Sequence, residues 1–257
     1  MSTSWALALH LARRDFTDRF SGSALGSIWA FVQPLVMIFV FTVVFSELMR
    51  ARMTGNDHQF AYGVYLMAGM LPWTAFQNTV VRSATVFSDR KALLSKMPVS
   101  LTMLPVTVAL SETITCATAL GLLAIVLPLL GLPLSPWMLA LPVIYAAWML
   151  VACALGLLLA TLAVFLKDLR EIVSIGFTLL FWLTPIVYVP EVLPEVFRPW
   201  VAWNPLTHMV TTYQGAFLNG TAPDLTVLLI VIAVGLVLLA VARWLLRLVE
   251  RDVRDLL

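Results

Sequence analysis

The chain has 257 residues, of which 61% are hydrophobic and 12% charged, and its mean hydropathy is +0.96. Soluble domains carry about a quarter charged residues, so a fold solvated on all sides is excluded. The formal net charge of +2 calls for no nucleic acid partner, and at roughly 20 apolar residues per crossing the length holds six spans with little left for a soluble domain.

In chain order, residues 1–27 open with Trp5, Leu9, Ala12, Phe16 and Phe20 at helical spacing, with Arg13, Arg14, Thr17 and Asp18 on other faces. This pattern predicts an amphipathic helix lying along the inner interface, either as an anchor or as a relay of motion. Arg14 with Asp18, and Asp15 with Arg19, stand four apart and can pair weakly. The run Trp5 to Leu9 is too short for a signal-peptide core, so the segment is expected to be retained. Gly22 and Gly26 predict a tight bend into the first span in preference to a dimer seam.

The predicted spans are Ile28 to Leu48, Phe60 to Val80, Leu104 to Leu127, Trp137 to Phe165, Ile172 to Val189, and Leu225 to Leu246. Spans 1 to 5 occupy residues 28–189, and a tail of 247–257 follows the sixth. Lys and Arg set the orientation. Arg13, Arg14, Arg19, Arg82, Arg90, Lys91, Lys96, Lys167, Arg170, Arg243, Arg247, Arg251 and Arg254 fall on one side, leaving Arg50, Arg52 and Arg198 on the other. Both termini are therefore expected in the cytoplasm. The fold class is an all-α integral membrane protein forming a single transmembrane domain.

Residues 190–224 combine Pro190, Pro194, Pro199 and Pro205 with Trp200, Trp203 and the apolar run Met209 to Leu218. Tryptophan favours the headgroup level, and irregular backbone at membrane depth needs protein or a water-filled cavity around it. Short re-entrant or interfacial helices on the outer face are expected here. The largest inner link, Val81 to Ser100, carries Arg82, Asp89, Arg90, Lys91, Lys96 and Pro98; it reads either as a solvated loop or as a dock for a cytoplasmic partner.

No GxxxxGK[ST] loop occurs, so the chain is not expected to hydrolyse ATP itself. His10, His58 and His208 lack metal-ligand spacing, and neither a Gly-x-Ser-x-Gly elbow nor an HExxH is present. No catalytic residue, metal or cofactor is assigned to this chain. Cys116 and Cys153 fall inside predicted spans, as small apolar residues. Glu112, about two turns into the third span, is the one clearly internal acid. It reads as an acceptor for a neighbouring helix or an inner basic group, with proton coupling as the alternative.

Arg14-Asp15-Phe16, Arg19-Phe20, Ser23-Ala24-Leu25-Gly26, Trp29 and Pro34-Leu35 resemble the opening of type-2 ABC export permeases that move polysaccharides. Phe165 to Arg170, Leu183-Thr184-Pro185-Ile186-Val187-Tyr188 and Trp203-Asn204-Pro205-Leu206 extend the resemblance, which is nearest to the O-antigen and teichoic-acid branch. It implies a homodimer enclosing a channel, two copies of a separate ATPase subunit that binds ATP and Mg, and outward movement of a lipid-linked glycan across the bacterial inner membrane. It also assigns the inner link to the ATPase, making Asp89, Arg90, Lys91 and Lys96 candidate contacts.

A glycan path can be built from aromatic surfaces and scattered polar groups. Phe177, Phe181, Thr184 and Tyr188 share a face of the fifth span, and Phe31, Phe41 and Phe45, with Pro34, share an arc of the first. The resemblance places both spans beside the channel, so these seven side chains are its candidate lining, against the alternative that they meet lipid or pack between helices. Export of a teichoic acid, capsule, small lipid or drug, and a scaffold without transport, remain as other readings.

Overall fold

The computed structural model describes residues 2–20, 22–23, 25–48, 58–95, 99–166, 168–190 and 193–256, and among them it is entirely helical and irregular, without strands. Ala24, Arg50, Arg52, Lys96, Pro98 and Lys167 lie outside the described residues, as do the side chains of Trp5 and Phe45.

Helix α1 (Ser2–Asp18) is followed by a bend in which Gly22 and Gly26 adopt φ of 85° and 51°. Only glycine takes this region without penalty, so the expected bend is present. Ser23 fastens it, its Oγ donating to Phe20 O at 3.0 Å and accepting from Gly26 N at 3.0 Å. Helix α2 (Trp29–Phe39) then passes into a π-helical stretch, Val40–Leu48. Thr42 Oγ1 donates back to Ile38 O at 2.5 Å at this transition.

Helix α3 (Ala61–Ala84) follows, and most of its residues are buried. Two short helices, α4 (Val86–Asp89) and α5 (Lys91–Leu94), fold the inner link. Then come α6 (Met103–Leu129), a 3-10 turn Pro136–Ala140 continuing into α7 (Leu141–Ala163), α8 (Leu169–Leu183), α9 (Arg198–Trp203), α10 (Pro205–Leu218) and α11 (Leu225–Leu256).

Three of these are long and apolar enough to cross a bilayer: α6, α7 with its lead-in turn, and α11. The shorter apolar helix Trp29–Val44 covers the first predicted span. Predicted spans two and five also fall on helices, α3 and α8. Helix α8 ends at Leu183, earlier than the sequence pattern suggests, because Thr184 precedes proline and is extended (φ −103°, ψ 136°). At 1.5 Å per residue it is about 22 Å long. Helix α11 runs ten residues past its predicted end and carries Arg247, Arg251 and Arg254 on its final turns.

The α1 packing face is rotated from the predicted stripe. Ala8, Leu11 and Ala12 are buried, whereas Leu9 is exposed and Phe16 meets Phe20 edge-on at 5.5 Å. The two alanines let α1 lie close on α6.

Helix α3 is the spine, contacting α6, α7, α10 and the π-helical stretch. Absent side chains permit this: a Cβ on Gly63 would sit 2.5 Å from Phe41 O, and one on Gly69 would sit 2.7 Å from Gln214 Nε2. On α7, a Cβ on Gly156 would sit 2.6 Å from Ser83 Cβ. One apolar core joins α3, α6, α7 and α10. A second, at the end holding the inner link, gathers Val86, Phe87, Leu101, Leu104, Leu157 and Leu246. The link is thus pinned to the bundle through Val86 and Phe87.

Replacing Gly63 by valine forces a side chain against backbone that cannot yield. A loss of about 1–3 kcal/mol is expected, read as a lower melting midpoint of the detergent-purified protein. An unchanged midpoint would show that this approach is not tight.

Candidate functional site

Two clusters of polar side chains stand about 26 Å apart along α3, the rise from Tyr65 to Arg82. At one end, Glu112 on α6 is 2% exposed. Its Oε1 accepts from Arg19 at 2.5 Å and from Arg82 at 2.7 Å, and its Oε2 accepts from Asn78 Nδ2 at 3.4 Å. Asp15 on α1 takes both remaining contacts of the same Arg82, with Oδ2 at 2.8 Å and Oδ1 at 3.0 Å from Nη2. Arg90, between α4 and α5, donates to Asp15 Oδ1 at 3.0 Å. Arg19 also reaches Ser111 Oγ at 3.2 Å and stands 3.7 Å from Asp15.

Three guanidiniums and two carboxylates therefore tie α1, α3, the inner link and α6 into one cluster. Glu112 accepts both from basic groups, Arg19 and Arg82, and from the neighbouring helix through Asn78. Burial raises the Asp15 carboxyl, but the hydrogen bonds and charge of Arg82, with the charge of Arg19, outweigh it and hold Asp15 below the usual carboxylate range. The helical pairs foreseen on α1 are present as well, Arg14 to Asp18 at 3.5 Å among them.

At the other end, the chain leaves α8 and turns irregularly through residues 185–189, where side chains meet several of its carbonyls. Tyr65 Oη shares its one proton between Pro185 O at 3.0 Å and Tyr188 O at 2.9 Å, Tyr62 Oη donates to Val187 O at 2.7 Å, and Gln214 Nε2 to Pro185 O at 3.1 Å. Asn204 Nδ2 donates to Thr184 Oγ1 at 2.8 Å, and Thr184 Oγ1 donates to Leu180 O at 2.7 Å. Asn204 Oδ1 accepts from Leu206 N at 3.0 Å, capping α10, whose first residue is Pro205. The segments Leu183 to Tyr188 and Trp203 to Leu206, far apart in sequence, are locked to each other here. Trp200 and Trp203 are exposed on α9, Trp203 at 87%.

The candidate lining residues part company. Phe31 is exposed at 52%, and Phe41, Phe181 and Tyr188 are half-buried. Phe177 is buried edge-on against Trp73 and Phe76, with centroids 6.1 and 6.0 Å away, and Thr184 is fully buried in the bond to Asn204. Phe181 meets Trp73 at 6.2 Å and Trp182 at 5.5 Å. On the link, Asp89 and Lys91 are exposed, Asp89 accepting from Thr85 at 2.8 Å, whereas Arg90 turns inward to Asp15. Sequence reasoning did not single out Tyr62, Tyr65, Asn78 or Gln214. Their signal is a polar group recurring within apolar runs, such as Gln214 inside Met209 to Leu218.

The ABC-2 type transporter family pattern matches residues 7–218. The chain belongs to that family. It is 30% identical over 239 residues to the O-antigen export system permease protein RfbA of Myxococcus xanthus, covering 91% of this chain and 88% of that protein. The RfbA protein of Klebsiella pneumoniae is 26% identical over 216 residues, 84% of this chain and 81% of the relative. The polysialic acid transport protein KpsM of Escherichia coli is 22% identical over 209 residues, 80% and 79% respectively. The chain is accordingly an integral membrane protein of the transport-subunit type.

Removing the Glu112 carboxylate by Glu112→Ala leaves Arg19 and Arg82 partly uncompensated. A loss of about 1–3 kcal/mol is expected, because Arg19 and Arg82 keep Asp15 and some solvent, seen as a lower melting midpoint, and an unchanged midpoint would show the cluster to be idle. Because the folded Asp15 carboxyl is depressed, its contribution is present above the unfolded value of about 3.9 and is lost as pH falls through the folded value. Asp15→Asn should lower the midpoint at neutral pH and flatten its fall below about pH 4. At the other end, Asn204→Ala removes a helix cap and the Thr184 contact, so a cost of about 1–2 kcal/mol is expected in the same melting measurement.

Proposed function

We propose that this chain is the membrane permease of an ABC exporter that moves an O-antigen-like polysaccharide, carried on a lipid, outward across the bacterial inner membrane. The observation that carries this reading is the similarity to an O-antigen export permease over about nine-tenths of the chain. The two motif-bearing segments that lock at Thr184 and Asn204 support it, since they are the parts through which the sequence resembles polysaccharide exporters.

The energy comes from a separate ATPase subunit, two copies per complex, which holds ATP and Mg. It docks on the inner link at the exposed Asp89 and Lys91, and Lys96 belongs to the same link. Arg90 acts differently, passing force from the link to α1 through Asp15. Six spans place both termini in the cytoplasm, with α9 and α10 re-entering from the outer face.

Two copies of the chain form the path. The apolar faces that α2 and α8 leave exposed among the described residues, with Trp29, Val36, Ile175, Leu179 and Trp182, supply surface for this pairing. Phe31, Phe41, Phe181 and Tyr188 offer aromatic surface to the glycan, with Phe45 on the same arc. Phe177 and Thr184 hold that wall from behind.

Co-purification of the tagged chain in mild detergent is expected to bring down a Walker-motif ATPase in equal copies, and the complex in vesicles should export a labelled lipid-linked glycan with ATP. ATP turnover without glycan movement would overturn the cargo. Repeated recovery from functional membranes without any ATPase would overturn the exporter. Phe31→Ala and Tyr188→Ala are expected to slow export several-fold while leaving the melting midpoint near that of the parent.

A further inference from the structure

A groove of about 800 Å³ runs along α7 between α6 and α11. It extends beside α7 from Leu141 to Leu157, about 24 Å at helical rise, and no residue of α2 or α8 lines it. Its walls are apolar, among them Leu110, Leu120, Met149 and Leu150, and beside Gly121 a Cβ would meet nothing within 4 Å.

At the end near the inner link the groove meets a second cavity of about 320 Å³, and Thr102 and Arg243 line both. Ser100, Arg247 and Glu250 are the other polar side chains of this mouth, with Leu101 and Leu246 beside them. Glu250 is engaged by Arg254 at 2.9 and 3.1 Å. Among the described residues Arg243 and Arg247 have no carboxylate partner. Ser100 Oγ and Thr102 Oγ1 are 2.8 Å apart and offer hydroxyls at the same point. Two unneutralised guanidiniums beside hydroxyls, at the foot of a long apolar slot, match a phosphate with a hydrocarbon tail.

We infer that the groove between α6, α7 and α11 holds an anionic phospholipid of the surrounding bilayer. Its phosphate sits at Arg243, Arg247 and Thr102, and one acyl chain lies along α7. The inference rests on the membrane reading of the fold. It concerns a face separate from the proposed glycan path, since no residue of α2 or α8 lines the groove. A lipid there would fill the gap between α6 and α11 that protein side chains leave open.

The test is native mass spectrometry of the purified chain with its co-purifying partners, titrated with phosphatidylglycerol or with phosphatidylcholine. One phosphatidylglycerol per chain is expected to be retained in preference to phosphatidylcholine. R243Q/R247Q should weaken retention roughly tenfold or more, and Gly121→Leu with Ala146→Leu, which fills the slot but keeps both arginines, should weaken it too. Melting midpoints near that of the parent establish that the variants are folded, and the slot-filling pair serves if the arginine pair is not.

Equal retention of the two lipids, unchanged retention in the folded variants, or no retained lipid would overturn the inference. Displacement by inorganic phosphate alone, or preference for a polyprenyl phosphate over phosphatidylglycerol, would reassign the site and overturn it as well. No glycan enters the measurement, so its failure leaves the export reading standing, and failure of export leaves this result standing.

Discussion

Backbone and charge that lie within an apolar bundle must be satisfied by the protein itself, because no water is at hand to do so. The irregular chain after α8 is possible because Tyr62, Tyr65 and Gln214 reach its carbonyls. Glu112 is tolerable in α6 because Arg19, Arg82 and Asn78 surround it. These obligations, more than apolar packing, set which segments must meet, since lipid tails receive an apolar side chain as readily as another helix does.

Helix α3 joins the two sets of polar contacts. Its first turns supply the tyrosines and its last turns supply Asn78 and Arg82. Glycine and serine at its contacts bring the π-helical stretch, α7 and α10 close enough to fix it firmly. Arg90 and Asp15 tie the link to α1, and Arg82 ties Asp15 to the body of α3. This geometry gives α1 an ionic connection to the link as well as a seat on α6.

The comparison with known permeases and the geometry bear on different questions. Similarity to O-antigen permeases assigns the family and the kind of subunit. The geometry explains why particular motif residues stand where they do: Asp15 and Arg19 bind the ion cluster, Ser23 and Gly26 make the bend, and Asn204 holds Thr184. A basic residue within the Val81 to Ser100 link is not thereby free for a partner; Arg90 is committed to Asp15, whereas Lys91 is exposed.

Composition and apolar run length by themselves determined that this is a helical membrane protein, and the ordered motifs determined its family resemblance. The bend at Gly22 and Gly26 and the short helices of residues 190–224 were also legible, because each depends on local chemistry, whereas the partners of Glu112 come from segments distant in sequence. Only the tertiary structure decided that Phe177 faces Trp73 and Phe76 while Phe31 is exposed, and that α1 packs through Ala8, Leu11 and Ala12. Helical periodicity finds an apolar stripe but cannot tell lipid from protein as its neighbour, since both accept it. That choice is made by close approach at small residues and by hydrogen bonds between segments as distant as Asp15 and Arg82, or Tyr65 and Tyr188.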